Sequence, residues 1–238
     1  MGGRGRLIAP AAELALAVEV GSLQRAVAHH FADRPGSMLD VGCGYGRPSG
    51  LLANHVVGVD PDAAAIEANT CVDEKVVGTL DAVDLKSETY DIVVAWNVLE
   101  HLERPIDDLR RMAKSVVRGG ILVLAFPNVD SVRGRITRYT PTWFHRVVIR
   151  KALRGRGAEP YKTFMDDALD VDSVVAMLEG TGFTTLHLSQ YEGYHELRLR
   201  ELHPVVGIAW QRLTRLLSTL SRGRLDYRSD VMGAFVRT

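Results

Sequence analysis

The feature that most constrains this chain is a glycine turn set between two apolar runs. Residues 38–62 read MLDVGCGYGRPSGLLANHVVGVDPD, with Gly42, Gly44, Gly46 and Gly50 between Asp40 and Asp60. A short apolar run that ends in a polar residue and opens into glycines reads as a buried strand delivering its last side chains to a turn. Residues 37–41 (SMLDV) and 56–60 (VVGVD) are two such strands. The spacing between them predicts a short helix over 47–54. "PDAAAIEAN" (61–69) predicts another, with Pro61 in the first turn, where a missing N–H is tolerated. The alternation continues through "KVVGTL" (75–80), "YDIVVAWN" (90–97) and "GGILVLAFPN" (119–128) as third, fourth and fifth strands. A helix near 105–117 carries Ile106, Leu109, Met112, Ala113 and Val116. Strands alternating with helices at this spacing make a mainly parallel sheet covered on both faces.

The second half is less regular. "DVDSVVAMLEGTGF" (170–183) predicts a helix ending at Gly180 or Gly182, "FTTLHLSQ" (183–190) a strand, and "SDVMGAFVRT" (229–238) a final strand. The expected organisation is a helical segment over 1–36, a nucleotide-binding core over 37–130 and a basic, aromatic insert over 131–169. A core helix and strand follow over 170–190, a helical insert or lid over 191–228, and the last core strand over 229–238.

Bulk properties exclude several classes. The 238 residues carry no formal net charge, but residues 1–130 sum to −6 and residues 131–238 to +6, which suggests two jobs along the chain. Two cysteines, Cys43 and Cys71, make no disulfide framework and fit a reducing cytoplasm. Arg4 and Arg6 precede an apolar run, but Glu13 and Glu19 interrupt it, so residues 11–31 read as an amphipathic helix and not as a signal peptide. No run of apolar residues is long enough to cross a membrane.

The identity of the turn's ligand follows from charge. A dinucleotide turn is usually G-x-G-x-x-G with the pyrophosphate at a helix N-terminus. Here the pattern is D-x-G-x-G-x-G. Asp40 would repel a pyrophosphate and suits an ammonium, which disfavours a nicotinamide dinucleotide. Asp60, ending the second strand, can accept hydrogen bonds from two ribose hydroxyls. A ligand with an amino-acid ammonium, a ribose and no phosphate satisfies both aspartates and a turn cleared of side chains. S-adenosylmethionine is such a ligand.

On these residues the chain resembles the class I S-adenosylmethionine-dependent methyltransferases. "LDVGCGYG" is similar to their first motif, "GVDPD" to their second, and residues 79–128 to their third to fifth strands. The resemblance implies a Rossmann-like α/β fold with a mainly parallel seven-strand sheet, helices on both faces and an antiparallel last strand. It places Asp40, Gly42, Cys43, Gly44 and Gly46 around the methionine part of the cofactor. Asp60 and Pro61 fall at the ribose, Asp81 and Ala82 beside the adenine, and Asn97 and Val98 under the methionine portion.

The stretch "NVLEHL" (97–102) raises the question of chemistry. Methyl transfer to a hydroxyl needs the nucleophile aligned and its proton taken. His101 follows the fourth strand at the sheet's carboxyl edge and can serve as that base. Ubiquinone-type O-methyltransferases have a similar E-x-x-E-H stretch that binds a divalent metal. Glu100 and His101 match it, but Asn97 replaces the first carboxylate, so no metal site is expected. His29, His30, His55 and His187 read as structural or surface residues, and His145, His195 and His203 lie in the variable segments.

Substrate contacts are expected outside the core. Residues 131–156 hold seven Arg, one Lys and no acid, with Tyr139, Trp143 and Phe144 among them. They suit an anionic membrane surface, an anionic substrate, RNA, or internal ion pairs. The 204–220 helix has Val206, Ala209, Trp210, Leu213, Leu216, Leu217 and Leu220 at helical spacing, with Arg212, Arg215, Arg222 and Arg224 around them. It suits a lipid interface, a lid or a dimer contact. The resulting expectation is a cytoplasmic methyltransferase, with peripheral membrane contact open, acting on oxygen (or nitrogen) of a small-molecule, glycan or lipid-linked acceptor. Nucleic acid is disfavoured, a homodimer is open, and the alternative is a non-catalytic protein that binds the cofactor for regulation or assembly.

Overall fold

The computed structural model describes residues 11–140 and 166–238. Trp143, Phe144, His145 and the rest of the basic segment beyond residue 140 lie outside the described residues, as do residues 1–10.

Seven strands form one sheet: β1 (Ser37–Val41), β2 (His55–Asp60), β3 (Glu74–Val77), β4 (Tyr90–Trp96), β5 (Val116–Pro127), β6 (Phe183–Tyr191) and β7 (Asp230–Arg237). Their order is β3-β2-β1-β4-β5-β7-β6. The first five run parallel, and β7 inserts antiparallel between β5 and β6, as the family resemblance implies. Among the described residues seven helices flank the sheet: α1 (Ala11–His30), α2 (Ala63–Ala68), α3 (Pro105–Ser115), α4 (Val132–Tyr139), α5 (Val171–Gly180), α6 (Tyr194–Leu202) and α7 (Pro204–Leu220).

A strand buried on both faces must be apolar at successive positions, because neighbouring side chains point to opposite sides. Along β5, Leu122, Leu124 and Phe126 join the core under α3 and α5, while Ile121, Val123 and Ala125 join the core under α1 and α2. This double burial is why "ILVLAF" reads as an unbroken run.

The chain leaves β1 for β2 and β3 on one side, then returns to place β4 on the other. The carboxyl ends of β1 and β4 therefore flank the point where the winding reverses, the usual place for a ligand in such sheets.

The predicted helix over 47–54 is absent; these residues are irregular. Pro48 cannot donate to a helix ladder, and Gly50 sits at φ +61°, outside the right-handed helical region. Side chains, two of them from outside the segment, take carbonyls that a helix would have paired internally. Gln24 Nε2 donates to Ser49 O at 2.8 Å and Arg34 Nη2 to Ala53 O at 2.5 Å. Arg47 Nη1 donates to Leu51 O at 2.6 Å, and its Nη2 to Cys71 O. A Cβ on Gly50 would come within 2.3 Å of Gln24 Nε2, so the glycine and the glutamine clamp are one device.

Smaller differences have local causes. Pro61 precedes the helix rather than entering its first turn: Asp62 is the cap, accepting from the N–H groups of Ala64 and Ala65. The third strand stops at Val77, and Leu80–Ala82 forms a 3₁₀ turn after Gly78. β5 starts three residues before the expected Gly119.

Candidate active site

The cofactor side is built from backbone. Gly42, at φ +66°, ends β1, and its N–H donates to Val59 O at 2.7 Å. Any Cβ there would lie 2.4 Å from Val98 Cγ2, so Val98 packs directly on the glycine and requires it. Gly44 is also left-handed, at φ +48°, and its N–H donates to Asp60 Oδ2 at 2.8 Å. The other carboxylate oxygen, Oδ1, accepts from Asp62 N at 2.8 Å. Two backbone amides thus fix the Asp60 carboxylate and leave it acceptor capacity. Asn69 Nδ2 secures the far side of the turn, donating to Cys43 O at 3.1 Å and Gly44 O at 3.0 Å. Nothing lies within 4 Å of where a Gly46 side chain would begin.

Asp40 is 2% exposed, and its Oδ2 has no hydrogen-bond partner among the described residues. Arg47 Nε approaches Oδ2 only to 4.0 Å and is itself unpartnered. Burial therefore raises the Asp40 pKa to about 7, with Arg47 lowering it and Asp60 raising it. Cys43 is buried behind the same turn, and its thiol is pushed up to about 12 by burial and by the two aspartates. It is an inert packing residue.

The remaining predicted residues sit around this turn or farther along the same edge. Asn97 holds φ +55°, which asparagine tolerates better than most residues, and its N–H donates to Ala125 O at 2.7 Å. Ala82 lies against Gly78. Asp81 is exposed and pairs with Arg111 Nη1 at 2.7 Å. His101 ends the 3₁₀ turn Leu99–His101 after β4 and is about one-third exposed. Its Nε2 lies 4.0 Å from Glu100 Oε1. Glu100 is buried with Oε2 unpartnered, and burial raises its pKa to about 8. At neutral pH Glu100 holds its proton, so this contact is not an ion pair.

A second cluster on the same sheet edge joins residues far apart in the sequence. Arg133, in the first turn of α4, donates to Asp230 Oδ2 at 2.7 Å, Glu196 Oε2 at 3.2 Å and Ser229 O at 3.1 Å. Ser229 Oγ lies 2.9 Å from Glu196 Oε2 and 2.7 Å from Asp230 Oδ2. Gly193 N–H donates to the same hydroxyl at 2.8 Å. The end of β6 and the starts of β7, α4 and α6 are thereby locked together. Burial raises the pKa of Tyr191 beyond the ordinary phenol range and lowers that of His195. The other described arginines of α4 are also engaged, Arg135 with Asp130 at 2.5 Å and Arg138 with Asp167. Among the described residues, no three His, Cys, Asp or Glu side chains gather as a metal-holding group.

Comparison with known proteins decides the family. The model of the methyltransferase domain family matches residues 19–188, well over half of the chain. The chain belongs to the class I S-adenosylmethionine-dependent methyltransferase family. Its relatives include a ubiquinone biosynthesis O-methyltransferase of Maricaulis maris, 30% identical over 59% of this methyltransferase and 68% of the relative. A tRNA U34 carboxymethyltransferase of Colwellia psychrerythraea is 33% identical over 44% of this methyltransferase and 36% of the relative. For several of these curated relatives the match spans only a little over a third of their length. A putative methyltransferase of Bacillus halodurans shares the fold with a TM-score of 0.56 at 15% identity, over 92% of this chain and 98% of that one. The family's cofactor is S-adenosylmethionine, and the turn fits it: a buried carboxylate oxygen lacks a donor among the described residues, beside glycines that leave the backbone open.

Proposed function

We propose that this methyltransferase transfers the methyl group to an oxygen of a small-molecule, glycan or lipid-linked acceptor, with His101 as the base. The observation that carries the reading is a partly exposed imidazole at the carboxyl end of β4, one strand from the Asp40 turn. The ubiquinone-biosynthesis relatives, named for transfer to oxygen, support it. S-adenosylmethionine supplies a methyl group on a sulfonium, a leaving group already activated by its charge.

The protein's part is alignment and proton management. Asp40 meets the ammonium, Asp60 accepts from the ribose hydroxyls, and Gly42, Gly44 and Gly46 with Cys43 give the backbone surface between them. Val98 and Asn97 border the methionine portion, and Asp81 and Ala82 the adenine, with Pro61 turning the chain after the ribose site. His101 takes the acceptor hydroxyl's proton. Glu100, whose carboxyl pKa is raised to about 8 by burial, sits beside the imidazole. The Arg133 network fixes the acceptor edge. Nucleic acid is the weaker acceptor class, because carboxylates engage all three described arginines of α4.

Incubation with radiolabelled S-adenosylmethionine and an extract of the source organism tests the reading. Label in an organic or small-molecule aqueous fraction, lost on His101→Ala with cofactor binding kept, is the expected result. Confirmed cofactor binding with no label in any fraction would favour the non-catalytic alternative.

A further inference from the structure

Helix α7 is mounted with its sides reversed. An amphipathic surface helix normally turns its apolar stripe to the core and its polar side to water. Here the buried positions are Gly207 and Thr214, and Gln211 is partly buried with its amide on Glu192. The apolar residues point away. Val205 is 83% exposed, Val206 58%, Leu213 46%, Leu216 54% and Leu220 69%. At 100° per residue these five fall within one arc of about 100°, a continuous stripe along the helix. Gly207 explains how the reversal is held: a Cβ there would sit 2.5 Å from the Arg200 backbone, so α7 packs on α6 through a glycine contact too close for any larger residue.

Such a stripe marks a surface that meets something apolar. The charges say what kind. Between residues 202 and 225 there is no Asp or Glu, while Arg212, Arg215, Arg222 and Arg224 are all exposed. Arg212 borders the stripe directly, and Arg215 lies over the Tyr227 ring at 5.1 Å. A second copy docked on this face would bring a second set of the same arginines against the first, with no carboxylate in the segment to offset them. An anionic lipid surface instead offers hydrocarbon for the stripe and phosphate for the arginines. The helix cannot span: no described helix is long and apolar enough to cross a membrane. It can lie in the interface plane.

We infer that α7 is an interfacial helix that docks this protein on anionic lipid membranes through the Val205–Leu220 stripe and its arginines. Because α7 packs on α6, which carries Glu196, docking holds the proposed acceptor edge close to the lipid. The docking claim itself does not depend on the acceptor.

The test uses the full chain without cofactor, sedimented with vesicles of phosphatidylcholine alone or mixed with phosphatidylglycerol, at low and high salt. Binding to the mixed vesicles that weakens with salt is expected. Arg212→Ser should weaken it about fivefold, as one arginine near a charged surface would. Leu216→Ser should weaken it about tenfold by removing inserted hydrocarbon, with an unchanged circular-dichroism melt because Leu216 is exposed. Absence of binding to either vesicle overturns the inference, as does binding indifferent to lipid charge. Sedimentation velocity then assigns the stripe: a dimer broken by Leu216→Ser gives it to a second copy, and a monomer gives it to another segment of the same chain.

Discussion

The two halves of the sheet edge are built by different means. At the carboxyl ends of β1 and β2, positive-φ glycines and backbone amides make the site, and the Asp60 carboxylate is held by the N–H groups of Gly44 and Asp62. At the ends of β5, β6 and β7, side chains make it: Arg133 holds Glu196 and Asp230 together, with Ser229 beneath them. A backbone-built site tolerates change in most side chains but not in the glycines held at positive φ. A site built on one cation depends on that cation. The halves should therefore fail separately, one losing cofactor affinity and the other losing transfer.

Gly42→Ala should break the first half most severely. The added methyl meets Val98 at 2.4 Å in a backbone conformation that L residues avoid. Stability should fall by about 2 kcal/mol, and affinity for S-adenosylhomocysteine by about a hundredfold, read by thermal melting and calorimetry. Arg133→Met should break the second half alone. It leaves Glu196 and Asp230 without their shared cation, at a cost on the order of 2 kcal/mol since the guanidinium is partly exposed. Transfer should be lost with cofactor affinity kept within about twofold. Adding Asp230→Asn should return part of the lost stability.

Two pH effects sharpen the contrast. Asp40, with its pKa near 7, must ionise to meet an ammonium. Cofactor affinity should fall about tenfold from pH 8 to pH 6, and Asp40→Asn should flatten that dependence. Glu100 affects stability instead. Its folded pKa of about 8 lies above the ordinary carboxylate value of 4.5, so the folded state holds a proton that the unfolded chain has released. Stability from this group is therefore lost as pH rises from about 4.5 through 8. Glu100→Gln should melt with the wild type at pH 5 and a few degrees above it at pH 9.

The first half was legible because its information is local. Asp40, the glycines and Asp60 lie within one stretch of 21 residues, and Gly42, Gly44 and Gly50 are each held at positive φ there. The sheet was legible for the same reason, since apolar runs mark doubly buried strands. The missing helix after the turn was signalled by Pro48 and Gly50, but its replacement was not: the donors that satisfy those carbonyls include Gln24 and Arg34, outside the motif. The Arg133 network was opaque. Its partners lie 63 and 97 residues away, and an arginine in a basic segment looks the same whether it faces solvent or two carboxylates. The reversed face of α7 was equally hidden, because periodicity reports that a stripe exists and not which way it points.

The most direct test of the account is calorimetric titration of S-adenosylhomocysteine into the wild type, Asp60→Ala and Arg133→Met. The expected result is binding by the wild type, a loss of about a hundredfold in Asp60→Ala, and near-wild-type affinity in Arg133→Met. Equal weakening in both variants, or Asp60→Ala binding as the wild type does, would contradict a cofactor site built at the β1–β2 turn and separate from the acceptor edge.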